Sequence, residues 1–305
     1  MRIIAPIMIT EGAVTTNVAD NAEPVWDSTT TYAEGNEVQH DLYLYESLIA
    51  DNTGNNPAET NNEVSAEPAW LKLGAVNKWE MFDGMLGSYT ERDEEIVVSI
   101  EFSRSLDSIA LLGMAGQEVV IAVENTSGSI TESITKDLTE DPLIDWGEYF
   151  FKPLVEPRSD YTTKFQNLYL TGTVTVTIKN PDDTAKCGLL LLGRGEYIGA
   201  AQYGINSGIM DFSKKERDDF GRTFLKQGAY AKLLNVDLFV PNPVYDRTSR
   251  TLSAYRGKAI VWDANANTTD YTSFVVYGFF IDFRMRLNGP SMSECVLEIE
   301  GLEGE

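Results

Sequence analysis

The sequence predicts a mainly β protein: β-sandwich domains, a small inserted β module and one or two short helices. Three observations carry that prediction. Residues 173–179 read TVTVTIK, the two-residue alternation of a half-buried strand. Residues 95–102 (EIVVSIEF), 118–123 and 274–284 (FVVYGFFIDFR) are rich in the β-branched and aromatic side chains that pleated surfaces favour. Turn clusters such as NTSGS at 125–129 and NPDD at 180–183 punctuate these runs. Many short strands separated in this way pack as sandwiches.

Taken in chain order, the opening MRIIAPIMITEG has an apolar core broken by Pro6 and no small-residue cleavage site. It therefore reads as a strand over 3–9 rather than a signal peptide. Residues 1–20 form an N-terminal arm, and residues 21–74 a small aromatic module. Residues 75–193 form a sandwich domain, and residues 194–305 a C-terminal β-rich domain with a helix near 243–256. Pairing of the arm with the sandwich domain makes the small module an insertion. In the helix, Asn242 suits the cap, Pro243 the first position and Gly257 the end. Tyr245, Leu252 and Tyr255 share one face of it. A second helical turn is expected over 213–220, where SKKE has the pattern of a capping box.

The chain carries 47 Asp and Glu against 24 Lys and Arg, a net charge of −23 over 305 residues. Such a surface repels nucleic-acid phosphates and anionic membranes. No apolar run approaches the ~20 residues of a membrane helix. The acids are scattered, which suits solubility or a basic partner. The two cysteines, Cys187 and Cys295, sit in apolar runs and read as buried free thiols. His40 is the single histidine, so zinc and Ser-His or Cys-His chemistry lack their usual components. No cofactor or metal is expected.

Other chemistries find only weak footing. The carboxylate pairs Glu94/Glu95, Asp145/Glu148, Asp182/Asp183 and Asp218/Asp219 arise by chance in so acidic a chain. Glycoside hydrolysis needs two acids facing each other across ~5–10 Å, which adjacency in sequence does not provide. Asp83, Asp141, Asp145 and Glu148 are oxygen ligands without a calcium-loop pattern. GRGEYIG at 193–199 is not a phosphate loop, and its glycines serve turns or bulges. Lys214, Lys215, Arg217 and Arg222, interleaved with Glu216, Asp218 and Asp219, suggest an exposed salt-bridged segment or a docking edge.

The stretch VWDSTTTYAEGNEV, then LYLYESLIADNTGNNPA, then PAWLKLG resembles the small chitin-binding modules appended to chitinases. Aromatic side chains in such modules stack against sugar rings. The resemblance makes Trp26, Tyr32, Tyr43, Tyr45 and Trp70 the candidate carbohydrate-binding residues. Trp26 and Trp70 equally suit the core of so small a unit.

Three further stretches follow in order: NKWEMFDGMLGS (77–88), YIGAAQYG with GIMDFSKKERDDFGRTFL (208–225), and the terminal ECVLEIEGL. Together with the module they resemble tailed-bacteriophage virion structural proteins of the tail, neck or fibre-attachment region. The resemblance implies a non-enzymatic, β-rich homo-oligomer that contacts other virion proteins. Trp79, Phe82, Phe212, Phe220 and Arg222 are then candidate interface or core anchors. A host-glycan adhesion protein is the alternative, and a carboxylate-dependent polysaccharide depolymerase a further one.

Overall fold

The computed structural model describes residues 1–139, 159–217, 220, 222–265 and 271–304. Asp141, Asp145, Glu148, Asp218 and Asp219 lie outside the described residues. The chain begins with β1 (Arg2–Pro6) and β2 (Val14–Thr16). The inserted segment holds β3 (Thr31–Tyr32), β4 (Glu37–His40), β5 (Tyr43–Ser47), β6 (Asn52–Thr53), the turn α1 (Pro57–Thr60) and β7 (Trp70–Ala75). A second turn, α2 (Asn77–Glu80), leads to β8 (Thr90–Phe102), β9 (Leu106–Ala115), β10 (Glu118–Glu124), β11 (Ile130–Asp137), β12 (Tyr161–Tyr169) and β13 (Gly172–Tyr197). Next come β14 (Ala200–Ala201), β15 (Asn206–Asp211), β16 (Lys214–Arg217), β17 (Thr223–Lys226) and β18 (Tyr230–Pro241). The helix α3 (Tyr245–Ala254), β19 (Ile260–Asp263), β20 (Val275–Arg286) and β21 (Met292–Gly304) complete it.

The fold is mainly β and sandwich-like, built on large antiparallel sheets. Its backbone is one 14-stranded sheet in which β11, β10, β13, β1, β19, β20, β21, β18 and β14 are successive neighbours. Strand β13 is 26 residues long and runs through the centre. Its first half alternates as TVTVTIK predicts: Val174, Val176 and Ile178 are buried with Ile96, Val98 and Ile100 of β8 and Val119, Ile121 and Val123 of β10. Its second half does not alternate, because both faces are covered. Leu190 and Leu192 join that first core, while Leu189 and Leu191 face a seam with Ile4, Val261, Val275 and Tyr277.

Strand β1 is the link between the halves. It pairs with the end of β13 on one side and with β19 on the other. Ile3 enters the second core, formed with Leu234, Val236, Leu238, Trp262, Leu297 and Ile299, and Ile4 enters the seam. Neighbouring residues of a strand point to opposite faces, so this short strand fastens two hydrophobic clusters. The boundary expected at residue 193 therefore falls inside β13, and residues 75–193 and 194–305 share one continuous sheet. Gly193 explains part of GRGEYIG: a Cβ there would sit 2.2 Å from the Ala5 carbonyl oxygen, so only glycine admits β1 at this distance.

The inserted segment has its own small core of Tyr32, Val38, Tyr45, Ala69 and Trp70. Two minor sheets, β3–β6 and β4–β5–β7, surround it. Buried Asn side chains hold its loops: Asn52 Nδ2 donates to Ser47 Oγ (2.9 Å) and Asn61 Nδ2 to the Pro57 carbonyl (2.7 Å).

Two helix expectations need correction. The segment after Ser213 is not helical, because Lys214–Arg217 pairs as a strand with Thr223–Lys226. Ser213 does not cap a helix, since its Oγ accepts the Gly228 N–H (3.1 Å) at the base of that hairpin. The helix near 243–256 is present as a 3-10 turn at Asn242–Val244 followed by α3, with Gly257 at φ +65° beyond it. Asn242 does not cap it. Its side chain instead donates to the Gly289 carbonyl (2.9 Å) and accepts from Ser293 Oγ (2.7 Å), tying the helix entry to the β20–β21 connection.

Candidate functional site

The most conspicuous surface feature is an edge strand with a hairpin beyond it. Strand β15 pairs with β18 through Asn206↔Asn235 to Asp211↔Tyr230, and every residue of β15 is exposed. Phe212 N–H donates to the Ala229 carbonyl (3.1 Å), and Asp211 Oδ1 accepts the Ser213 N–H (2.9 Å), so the ribbon continues into β16 and β17. Those two strands pair only with each other among the described residues, and all eight of their residues are exposed.

The register sorts the hairpin side chains onto two faces. Lys214 stands opposite Lys226 and Glu216 opposite Phe224 on one, and Lys215 opposite Leu225 and Arg217 opposite Thr223 on the other. Each face thus combines cationic and large apolar groups. Phe224 is 59% exposed, Leu225 71% and Ile209 62%. Phe212, Phe220 and Arg222 are exposed on the same arm. Of the five residues singled out as interface or core anchors, these three lie at the surface together. Trp79 and Phe82 do not join them, because their rings meet each other at 4.9 Å under the insert, beside Ala75 and Val76. Sequence reasoning marked the basic cluster but missed Phe224 and Leu225. Two adjacent large apolar residues between Thr223 and Lys226 in a charged stretch were the available signal.

The inserted module is arranged differently from a flat sugar platform. Tyr32, Tyr45 and Trp70 are buried, with Trp70 wholly inside, edge-on to Tyr32 at 5.4 Å and donating its Nε1–H to the Asn55 carbonyl (2.9 Å). A unit this small fills its centre with a few of its bulkiest side chains, so these rings are consumed by the core. Burial pushes the Tyr45 hydroxyl above its ordinary range. Trp26 and Tyr43 remain at the rim. Trp26 meets His40 edge-on at 5.1 Å, and its buried Nε1 has no hydrogen-bond partner. Lys72 Nζ stands 4.0 Å from the Tyr43 ring centre.

A cleft of about 140 Å³ lies at the seam between the two halves of the sheet, lined by Tyr89, Tyr230, Tyr277, Leu302, Asp160 and Lys232. Its one carboxylate, Asp160, accepts from Lys232 Nζ and from the Gly113 N–H (3.0 Å). Asp83 is spent on its own turn, accepting from the Met85 N–H (2.7 Å) and Ser88 Oγ (3.0 Å). Glu94 and Asp182 occupy positive-φ positions where β8 and β13 shift register, beside Glu95 and Asp183 at the surface. No group of three or more His, Cys, Asp or Glu among the described residues is placed to hold a metal ion. Both thiols are buried, and burial raises Cys187 to about 12 and Cys295 to about 11. No helix among the described residues is long and apolar enough to cross a membrane. Comparison with protein-family models and with curated proteins finds no match.

Proposed function

We propose that this chain is a non-catalytic assembly protein, a structural component of a bacteriophage particle in its tail, neck or fibre-attachment region. The observation that carries the reading is the arm formed by β15, β16 and β17. An isolated two-stranded hairpin is marginal in water, and this one buries neither face. Exposed aromatic and aliphatic side chains flanked by Lys and Arg are the composition of protein–protein contacts. An open edge strand beside them is a template for pairing with another chain. The resemblance in the sequence supplies the particle, and the arm supplies the means of attachment.

The rigid remainder fits that role. Two hydrophobic cores fused through β1 and β13 give a stiff platform on which the arm and the insert are mounted. The seam cleft holds one ion-paired carboxylate rather than two opposed acids, so it lacks the pair that glycan cleavage needs. The test is the composition of purified particles. The chain is expected there in fixed stoichiometry, and lost from particles when residues 213–227 are replaced by a short Gly-Ser linker. Particles that lack the wild-type chain, or that take up the armless one equally well, would overturn the reading.

One observation favours a second, accessory role for the insert. Trp26 and Tyr43 are only partly buried against the insert's core, with Trp26 edge-on to His40. A glycan contact would centre on Trp26 and Tyr43, not on the buried Tyr32, Tyr45 and Trp70. Titration with chito-oligosaccharides should then quench Trp26 fluorescence in the wild type and not in Trp26→Phe. An unchanged wild-type spectrum would remove this role.

A further inference from the structure

We propose that the hollow between α3 and the paired strands β1 and β13 binds an acidic sugar, a carboxylate-bearing pyranose within an anionic polysaccharide. The site is separate from the arm and from the insert, and it adds a ligand to the assembly reading.

The strand period sets its face. Arg194 and Glu196 lie two residues apart in β13, opposite Ala5 and Ile3 of β1. Alternate residues share a face, so both stand on the side where Ile3 and Ile198 enter the second core. Helix α3 covers the same core through Leu252. The hollow opens between them, with Arg194, Glu196, Arg247 and Tyr255 among its walls. Its volume of about 690 Å³ lies within the ~300–1,000 Å³ of small-ligand clefts.

Its charge is opposite to that of the whole protein. Residues 242–258 hold four of the 24 Lys and Arg and only one, Asp246, of the 47 Asp and Glu. Arg247, Arg250, Arg256 and Lys258 are exposed, as is Arg194. Arg250 and Arg256 donate only to the backbone carbonyls of Asp246 and Ser253. Among the described residues, Arg194, Arg250, Arg256 and Lys258 form no ion pair with a carboxylate. Acids of the neighbouring strands do not compensate. Asp237, Glu294 and Glu298 alternate with the buried Leu238, Cys295 and Leu297, which puts them on the opposite face of the sheet.

Glu196 decides which kind of anion fits. Its Oε1 accepts from Arg247 Nε (3.2 Å), Arg247 Nη2 (3.0 Å) and Thr251 Oγ1 (3.2 Å). Its Oε2 accepts from no group among the described residues. A bare phosphate or sulfate would meet that oxygen with like charge and nothing to donate. A sugar acid answers both groups: its carboxylate pairs with the guanidinium groups of Arg194 and Arg247, and a hydroxyl donates to Oε2. Charge-assisted pairs of Arg with carboxylate are the strong and geometrically specific ones. The cations along α3 then attract further acidic units of the polymer. That attraction weakens with salt, because the screening length falls from about 10 Å at 0.1 M to about 3 Å at 1 M.

The test is calorimetric titration of the full chain with four probes: a galacturonate tetramer, a sialic acid tetramer, the neutral galactose tetramer and a short oligothymidylate. The wild type is expected to bind at least one acidic sugar, to ignore the neutral tetramer at the same concentration, and to bind oligothymidylate about tenfold more weakly. Arg194→Gln, at an exposed position, should weaken acidic-sugar binding about tenfold. Glu196→Gln should narrow the preference over oligothymidylate, because the like charge is gone. Arg250→Gln with Arg256→Gln and Lys258→Gln should flatten the salt dependence. Circular dichroism checks that each variant is folded, and the exposed triple variant decides the matter if Arg194→Gln is not. Failure to bind either acidic sugar, or binding indifferent to both sets of changes, would sink the proposal. Equal affinity for oligothymidylate would replace the sugar site with a general polyanion surface and overturn it too. The particle-composition test of the arm is unaffected by any of these results, so the two readings stand or fall separately.

Discussion

Arg2 and Asp263 form the polar clasp over the strand that joins the two cores: Nη2 lies 2.8 Å from Oδ2. The same carboxylate oxygen accepts from Thr162 Oγ1 (3.1 Å), bringing β12 to the clasp. Asp263 Oδ1 accepts the Asn265 N–H (3.0 Å). One side chain thus connects β1, β12 and the end of β19.

Asp263→Ala is expected to destabilise the protein by about 2 kcal/mol. Stranding the partner of a fully buried pair costs about 3–5 kcal/mol, and Arg2 keeps some contact with water. Arg2→Met combined with Asp263→Leu should recover part of that loss, since neither charge is then left alone. Urea unfolding with a shared slope measures both. A double variant less stable than Asp263→Ala would show that the clasp contributes more than its charge balance.

Trp70→Ala should cost about 3–5 kcal/mol within the insert. It removes the largest side chain of that core, its edge contact with Tyr32 and the hydrogen bond to Asn55. Hydrogen exchange should accelerate across β4, β5 and β7 while the centre of β13 stays protected. Equal loss of protection in β13 would mean that the insert has no stability of its own.

Glu80 gives a pH dependence. Burial raises its carboxyl from 4.5 to about 7, and the nearby Asp83 and Glu91 carboxylates act in the same direction. Between these values the folded state holds a proton that the unfolded chain has released. Stability from this group is therefore complete below about pH 4.5 and is lost as pH rises through about 7. Glu80→Gln should match the wild type at pH 4 and exceed it above pH 7.5. The gain should be about 1 kcal/mol, because the side chain remains partly in water. Melting temperatures of the two proteins that run parallel across pH would refute this.

Strands half-buried on one face were legible in the sequence. TVTVTIK and EIVVSIEF alternate because one side meets the core and the other does not. The run CGLLLLG carries no such alternation, since it is covered on both sides, and its central place in β13 could not be read from periodicity. The SKKE pattern misled for a different reason. A capping box is a local preference, whereas the pairing of Lys214–Arg217 with Thr223–Lys226 is set by residues across a turn. In the insert the aromatic residues announced a compact unit, but the direction in which each ring points depends on how β3, β5 and β7 fold over one another.

The chain by itself determined its β character, its acidity, its two inert thiols, the helix after Pro243 and a basic segment among acids. These follow from side-chain chemistry and from spacing along one strand or helix. Tertiary structure alone decided that β1 fuses two cores into one sheet, that Trp70 is interior and that Phe224 and Leu225 are exposed. Those outcomes depend on which distant segments meet, and the free energy of burial is shared among residues far apart in sequence.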